Sequence, residues 1–473
     1  MVFSSNIFLL YFLPVFFLVY FLMPRKTRNY VLLLASLIFY AWGAPEFIIQ
    51  FVVSIVANFF IVKWMCRVEK PLSKKLLCAL SICISMGLLL FYKYGNFMME
   101  NLNVVLGWFH SEPKYWTRIL LPIGISFFSF QSVTYTLDTY RGVNRPMDRL
   151  SDYMLYITMF PQLIAGPIIR YCDIADQIRD RESLHSDRLQ GFYRFVIGLC
   201  KKVLIADVLG LYVDKILGAA NYAALDTGTA WLVALAYAFE IYFDFAGYSD
   251  MAIGLGRVMG FRFPENFDNP YTSRSITEFW RRWHKTLGAF IRSYLYIPLG
   301  GNRKGAGRTY LNLWLCFLLS GLWHGASWNF VVWGALHGLF ICTDKLFLDK
   351  VMKKVGVWPS VILTFLTVTI LWVFFRIEDI GLSWTFVTRL FAFDFSGFAF
   401  GGNAYIYTVM CIAALCSFLT LTGWGKRWES KVYYTDFNDR QHIRVWILAA
   451  MMFLFCIAAL NATNFSPFIY FRF

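Results

Sequence analysis

Six histidines occur in the 473-residue chain, and two of them, His324 and His337, stand in the almost wholly apolar stretch LLSGLWHGASWNFVVWGALHG, residues 318–338. A ring nitrogen in an oily segment must be desolvated, a cost normally kept only when the ring is paired or used in chemistry. With an ordinary pKa of about 6.5, an imidazole can take a proton near neutrality; it can also be held as a structural group by a neighbouring carbonyl. His324 is flanked by Gly321 and Gly325, which let backbones approach closely, and by Trp323 and Trp328, which can wall a pocket. His337 follows across a turn expected at SWN, residues 327–329, and is balanced between a structural and a supporting role. Asn329, in that turn, is counted with the supporting residues.

A third histidine, His284, sits in EFWRRWH beside Arg281, Arg282 and Lys285. It is expected near the inner membrane interface, where water alone would satisfy it. Glu240 and Asp244 fall four residues apart in an apolar run and share one helix face. They are either a proton relay or the partners of Arg281 and Arg282, and the second reading is favoured. Asp250 reads as a helix cap or turn residue.

The elements that position these groups must lie in a membrane. The chain is 58% hydrophobic and 20% aromatic with 15% charged residues, and its mean hydropathy is +0.54. Apolar runs of the roughly 20 residues needed to cross about 30 Å of hydrocarbon recur throughout. The opening MVFSSNIFLLYFLPVFFLVYFLM lacks the basic leader and cleavage site of a secretory signal, so it is read as a retained first span. Arg25, Lys26 and Arg28 follow it, which puts the N-terminus outside and this loop in the cytoplasm. Spans are expected over 31–42, 47–62, 76–92, 119–140, 358–376, 404–422 and 445–462, and the total is about 11 crossings. The net charge of +15 is mostly accounted for by basic loops between spans, and some of it could draw in an anionic cytosolic substrate. Ten cysteines, without a CxxC pair, read as small buried hydrophobes.

Two regions do not read as ordinary spans. MFPQLIAGPIIR is broken by Pro161, Gly166 and Pro167, and GLCKKVLIADVLGLYVDKIL carries lysines in an apolar setting. Such elements persist at membrane depth only under a cover of protein or beside a watery cavity, and a cavity rim is expected there. Residues 262–308 hold nine Arg or Lys against three acids and are assigned to the cytoplasm, with FWRRWHKTLGAFIRSYLYIPL as an interfacial helix. If Arg308 marks the cytosolic surface, His324 lies roughly 24 Å deeper at the helical rise, beyond the midplane. The run from Tyr310 to Thr343 would be roughly 51 Å of helix, too long for one crossing and short for two. A hairpin in a locally thinned centre fits that length.

The motifs YFDFAGYSDMAIGLGRVMGFRFPENFDNPY, SITEFWRRWHKTLGAFIRSYLYIPLGGNR and GLWHGASWNFVVWGALHG occur in that order, extended by LLPIGISFFSFQSVTYTLDTYRG, FPQLIAGPI, the opening MVFSSN and the closing FIYFRF. By these the chain resembles the bacterial membrane-bound O-acyltransferases of the alginate O-acetylation type, over nearly its full length. The resemblance implies an all-α, polytopic single domain over 1–473, its helices ringed around a thinned centre with a tunnel. It also implies that His324 is the catalytic histidine and that His284 fills the second active-site position, against the solvated reading above. On this reading His324 is the base, Trp323, Asn329, His337, Glu240 and Asp244 support the site, and the phosphates of acetyl-coenzyme A are drawn to Arg281, Arg282 and Lys285. Neither a metal nor a tightly bound cofactor is implied, and acetyl-coenzyme A is the donor substrate.

The tail 464–473 is expected outside the membrane, and its 10 residues can extend roughly 33 Å. Tyr470 then either anchors the terminus at the interface or, as the family's relatives suggest, carries the acyl group onward. The resemblance further implies an extracytoplasmic partner of the SGNH esterase type, a polysaccharide or peptidoglycan acceptor, and residence in the bacterial cytoplasmic membrane with both termini outside. Two other classes were weighed. A transporter or flippase for a lipid-linked sugar would use the intramembrane acids and histidines as a relay, and a haem protein would use two histidines as ligands.

Overall fold

Every regular element in the computed structural model is a helix; it describes residues 3–219, 221–395, 403–435 and 437–462, and none of these forms a strand. Among the described residues, seven helices are long and apolar enough to cross a membrane: Pro45–Arg67, Pro71–Trp108, Thr227–Val258, Trp328–Val355, Val357–Arg376, Ala404–Leu421 and Asp439–Ala462. The expected count of about 11 goes beyond these seven. The opening apolar segment is a shorter helix, Ile7–Leu22. The tail that carries Tyr470 lies outside the described residues.

Contacts divide the chain into two compact units, Met1–Asp187 with Leu255–Pro264, and Arg188–Gly254 with Glu265–Phe473. In the first, Asn58 on helix Ile48–Arg67 donates to the Ser85 hydroxyl at 3.0 Å and accepts from Ser81 at 2.7 Å. The Ser81 hydroxyl meets that of Thr136 at 2.8 Å, so polar side chains tie three apolar helices where water could not satisfy them. The proline-broken segment 159–169 is buried along its length, which supplies the protein cover that its irregular backbone requires.

The second unit is built on helix Thr227–Val258. It is apolar all round and buried on nearly every face, as expected of a core helix rather than a surface one. Helices Ala306–His324 and Trp328–Thr343 form the hairpin that the length of their apolar run requires. Their backbones touch where glycines allow it: a Cβ on Gly321 would stand 2.2 Å from the Phe330 carbonyl oxygen, and one on Gly334 2.5 Å from that of Phe317. The turn occupies 325–327, so Trp328 and Asn329 already belong to the second helix. Helix Val357–Arg376 packs beside the hairpin with Trp372 and Phe375 turned toward it.

Four expectations are corrected here. FWRRWHKTLGAFIRSYLYIPL is not one interfacial helix: it breaks at His284 into Ile276–Arg282 and Lys285–Ile291, and Phe279, Trp283, Leu287 and Phe290 are buried. Phe279, Trp280 and Trp283 pack inward because they fill the core around the long helix. Asp250 caps nothing; it lies within the long helix and pairs with Arg194 and Lys201, each at 2.6 Å. Trp328 is 56% exposed, whereas Trp323 is buried against His324. Among the cysteines, Cys66, Cys83, Cys411 and Cys416 are exposed on helix faces rather than buried.

Candidate active site

His324 ends the first hairpin helix and is 4% exposed. Its ring packs against three aromatic side chains: Trp323 at 4.7 Å between centroids, Trp333 at 5.2 Å and Phe375 at 5.3 Å. The helix stops here because Gly325 takes an extended conformation, and its Cα lies so near the Phe330 ring that a Cβ would sit 2.0 Å from it.

His284 stands at the break between two short helices, with φ 44° and ψ 53°. A residue other than glycine holds this left-handed conformation at a cost of order 1–3 kcal/mol, so neighbours must impose it. They do so through the preceding loop: the Lys285 N–H donates to the Asn266 backbone oxygen at 2.9 Å, and the Asp268 N–H donates to the Arg282 oxygen at 3.0 Å. The His284 ring is 1% exposed. Nδ1 lies 2.9 Å from the Asn266 side-chain oxygen, and Phe245 meets the ring edge-on at 4.7 Å. Trp323 lies 6.1 Å away.

One indole therefore contacts both His284 and His324. A second, Trp333, links His324 to His337, whose ring centroid it meets at 4.8 Å. His337 is fully buried, and its Nδ1 accepts the indole N–H of Trp280 at 3.1 Å. Three histidines, two from the apolar stretch 318–338 and one from EFWRRWH, thus share one aromatic cluster, held by Trp280, Trp323, Trp333 and Phe375.

The remaining expected site residues lie elsewhere. Asp244 pairs with Lys202 at 2.6 Å, and Lys202 also meets Asp207 at 2.7 Å. Glu240 faces helix Asp207–Ala219, where a Cβ on Gly210 would stand 2.8 Å from its carboxylate. Neither acid holds Arg281 or Arg282. Arg282 pairs instead with Glu278, one turn earlier, at 2.8 Å, while Arg281 is exposed and Lys285 half-buried. The cations that reach the long helix are Lys201, paired with Asp250, and Lys202, paired with Asp244. The Asn329 amide donates to the Ile377 carbonyl and to the Ser383 hydroxyl, tying the hairpin to the next helix. Asn266, Trp280 and Trp333 were not picked out by sequence reasoning. The one signal for Asn266 was its place in the ordered motif PENFDNPY.

A cavity of about 600 Å³ opens along the same segment, and its charged lining is balanced: Arg274, Arg282, Lys353 and Lys426 against Asp268, Glu278, Asp349 and Glu429. Among the described residues, no three His, Cys, Asp or Glu side chains are grouped as metal ligands would be.

Buried imidazoles between indoles, in an all-helical membrane chain, suit proton transfer during group transfer away from bulk water. Residues 16–351 match the model of the membrane-bound O-acyltransferase family, and the chain belongs to that family. It is 40% identical to a probable alginate O-acetylase of Pseudomonas putida, with the whole of both chains covered. It is 43% identical to the probable alginate O-acetylase of Pseudomonas aeruginosa over 83% of this chain and 75% of that one. It is also 36% identical to a peptidoglycan O-acetyltransferase of Helicobacter pylori over 80% and 78%. The protein is a membrane-bound acyltransferase, and these relatives support acetyl as the group it moves.

Proposed function

We propose that the protein takes an acetyl group from acetyl-coenzyme A on the cytosolic side and passes it toward an extracellular polysaccharide or peptidoglycan, with His324 as the catalytic base. The observation that carries this reading is the sharing of Trp323 by His284 and His324, which joins the two histidines of the family motifs in one water-poor cluster. An acceptor hydroxyl gives its proton to His324 as its oxygen attacks the thioester carbonyl. The carbon–sulfur bond breaks, an oxygen ester forms, and the proton leaves with the thiol of coenzyme A. His284 orients the donor or steadies the charge that develops on the carbonyl oxygen.

Arg281 and Lys285 carry no salt bridge among the described residues and are available to the donor's phosphates. The proposed first acceptor is Tyr470: a phenol, with an ordinary pKa of about 10, leaves more readily than a sugar hydroxyl, so its ester remains activated. An SGNH-type partner outside the cytoplasmic membrane would accept the group and deliver it to the polymer. The names of the relatives, which act on alginate and on peptidoglycan, support that acceptor class.

The test is incubation of the purified protein with acetyl-labelled acetyl-coenzyme A, followed by peptide mapping. Label on the peptide containing Tyr470 that disappears in His324→Ala is the expected result. Label at neither Tyr470 nor any other residue, with no thiol released in the presence of a partner, would overturn the reading.

A further inference from the structure

Asn266 is wholly buried, and the partners of its side chain fix which way round the amide lies. The backbone N–H of Thr286 donates to Oδ1 at 3.4 Å and the Thr286 hydroxyl at 2.8 Å. A main-chain N–H can only donate, so the atom it meets must be the oxygen. The other end of the amide, Nδ2, donates to the Ser249 hydroxyl at 3.0 Å. The atom 2.9 Å from Nδ1 of His284 is therefore an acceptor, and Nδ1 must carry the proton.

A neutral imidazole protonated at Nδ1 keeps its lone pair at Nε2. That nitrogen is buried and has no hydrogen-bond partner among the described residues. The groups that contact the ring are Phe245, Trp323, Asn266 and Thr286, none of them charged. The left-handed backbone at 284, held by the Asn266 carbonyl oxygen through Lys285, commits the ring to this partner.

We infer that Asn266 is a positioning residue that fixes His284 as the Nδ1–H tautomer, so that His284 meets the substrate as a hydrogen-bond acceptor through Nε2. The inference rests on the placing of His284 in the active site and chooses between the two roles given to it above. A neutral ring in this tautomer has no proton at Nε2 to offer an oxyanion. It can accept from a donor N–H, such as an amide of a pantetheine chain, or from a reacting O–H. His284 is thereby the group that orients a substrate, and stabilisation of a developing negative charge falls to other groups.

The test is nitrogen-15 NMR of the ring-labelled full-length protein in lipid bilayers at mildly alkaline pH, with the His284 signals assigned by their loss in His284→Gln. The expected result is a protonated Nδ1 and an unprotonated Nε2. Asn266→Asp keeps the accepting oxygen and the shape but adds a charge beside Nδ1. It should raise the titration midpoint of the ring by about 1 unit or more. A proton on Nε2 in the wild type, or an unmoved midpoint in Asn266→Asp, would overturn the inference. Both ring measurements are made without turnover. A protein that transfers nothing but shows the expected tautomer would count against the acetyl-transfer reading and leave the role of Asn266 standing.

Discussion

Trp280 donates its indole proton to Nδ1 of His337 at 3.1 Å, with the two rings edge to face at 5.0 Å. This bond locks the opposite tautomer to the one assigned to His284, because an acceptor at Nδ1 leaves the proton on Nε2. Two buried histidines of one cluster are thus set in complementary states by neighbours that sequence spacing does not reveal.

Trp280→Phe keeps an aromatic ring of related shape but removes the donor. The buried acceptor left behind should lower stability by about 1–3 kcal/mol, read as the unfolding midpoint of the detergent-solubilised protein. An unchanged midpoint would show that the bond contributes nothing to holding His337.

Gly321→Ala and Gly334→Ala each push a methyl group into the backbone of the opposing hairpin helix. Overpacking of this kind typically costs about 1–3 kcal/mol and more where backbone is the obstacle. Because His324 ends one helix and Trp333 lies on the other, acetyl transfer should fall together with the unfolding midpoint. Full activity in either variant would mean that the hairpin can splay without disturbing the site.

Asp244→Asn leaves the Lys202 ammonium buried with Asp207 and one carboxylate fewer. Breaking a buried pair from one side costs up to about 3–5 kcal/mol, less while Asp207 still pairs with Lys202, and Lys202→Met combined with Asp244→Asn and Asp207→Asn, which removes all three charges, should recover part of that. Recovery would be seen in the midpoint of the triple variant. The same pair separates this account from a transporter: a proton relay through Asp244 predicts transport coupled to a pH gradient and lost in both variants, whereas a structural pair predicts acetyl transfer that follows stability.

Much of the architecture could be read from the chain. The length of the apolar run from 310 to 343 fitted a hairpin better than ordinary spans, and the structure has one. The end of the first helix at His324 was not read, since the turn was expected at 327–329 and Gly325 only as a point of close approach. The break at His284 was not legible, because EFWRRWHKTLGAF has helical spacing throughout and the left-handed residue is imposed by Asn266, 18 positions earlier. Nor was the pairing of Asp244 with Lys202, 42 positions apart: which cation reaches a buried acid depends on how helices turn about one another. Local periodicity tells which face is apolar but not which neighbour covers it. Trp333 was passed over for the same reason, since an apolar stripe does not distinguish a residue that lines the site from one that fills the core.

The release of free thiol from acetyl-coenzyme A by the full-length protein in proteoliposomes tests the central claim most directly, comparing wild type with His324→Ala at matched folding. Loss of the base should slow release by about 10²- to 10⁴-fold while the unfolding midpoint stays near that of the wild type. Wild-type rates in a folded His324→Ala protein would contradict the account and remove His324 from the chemistry.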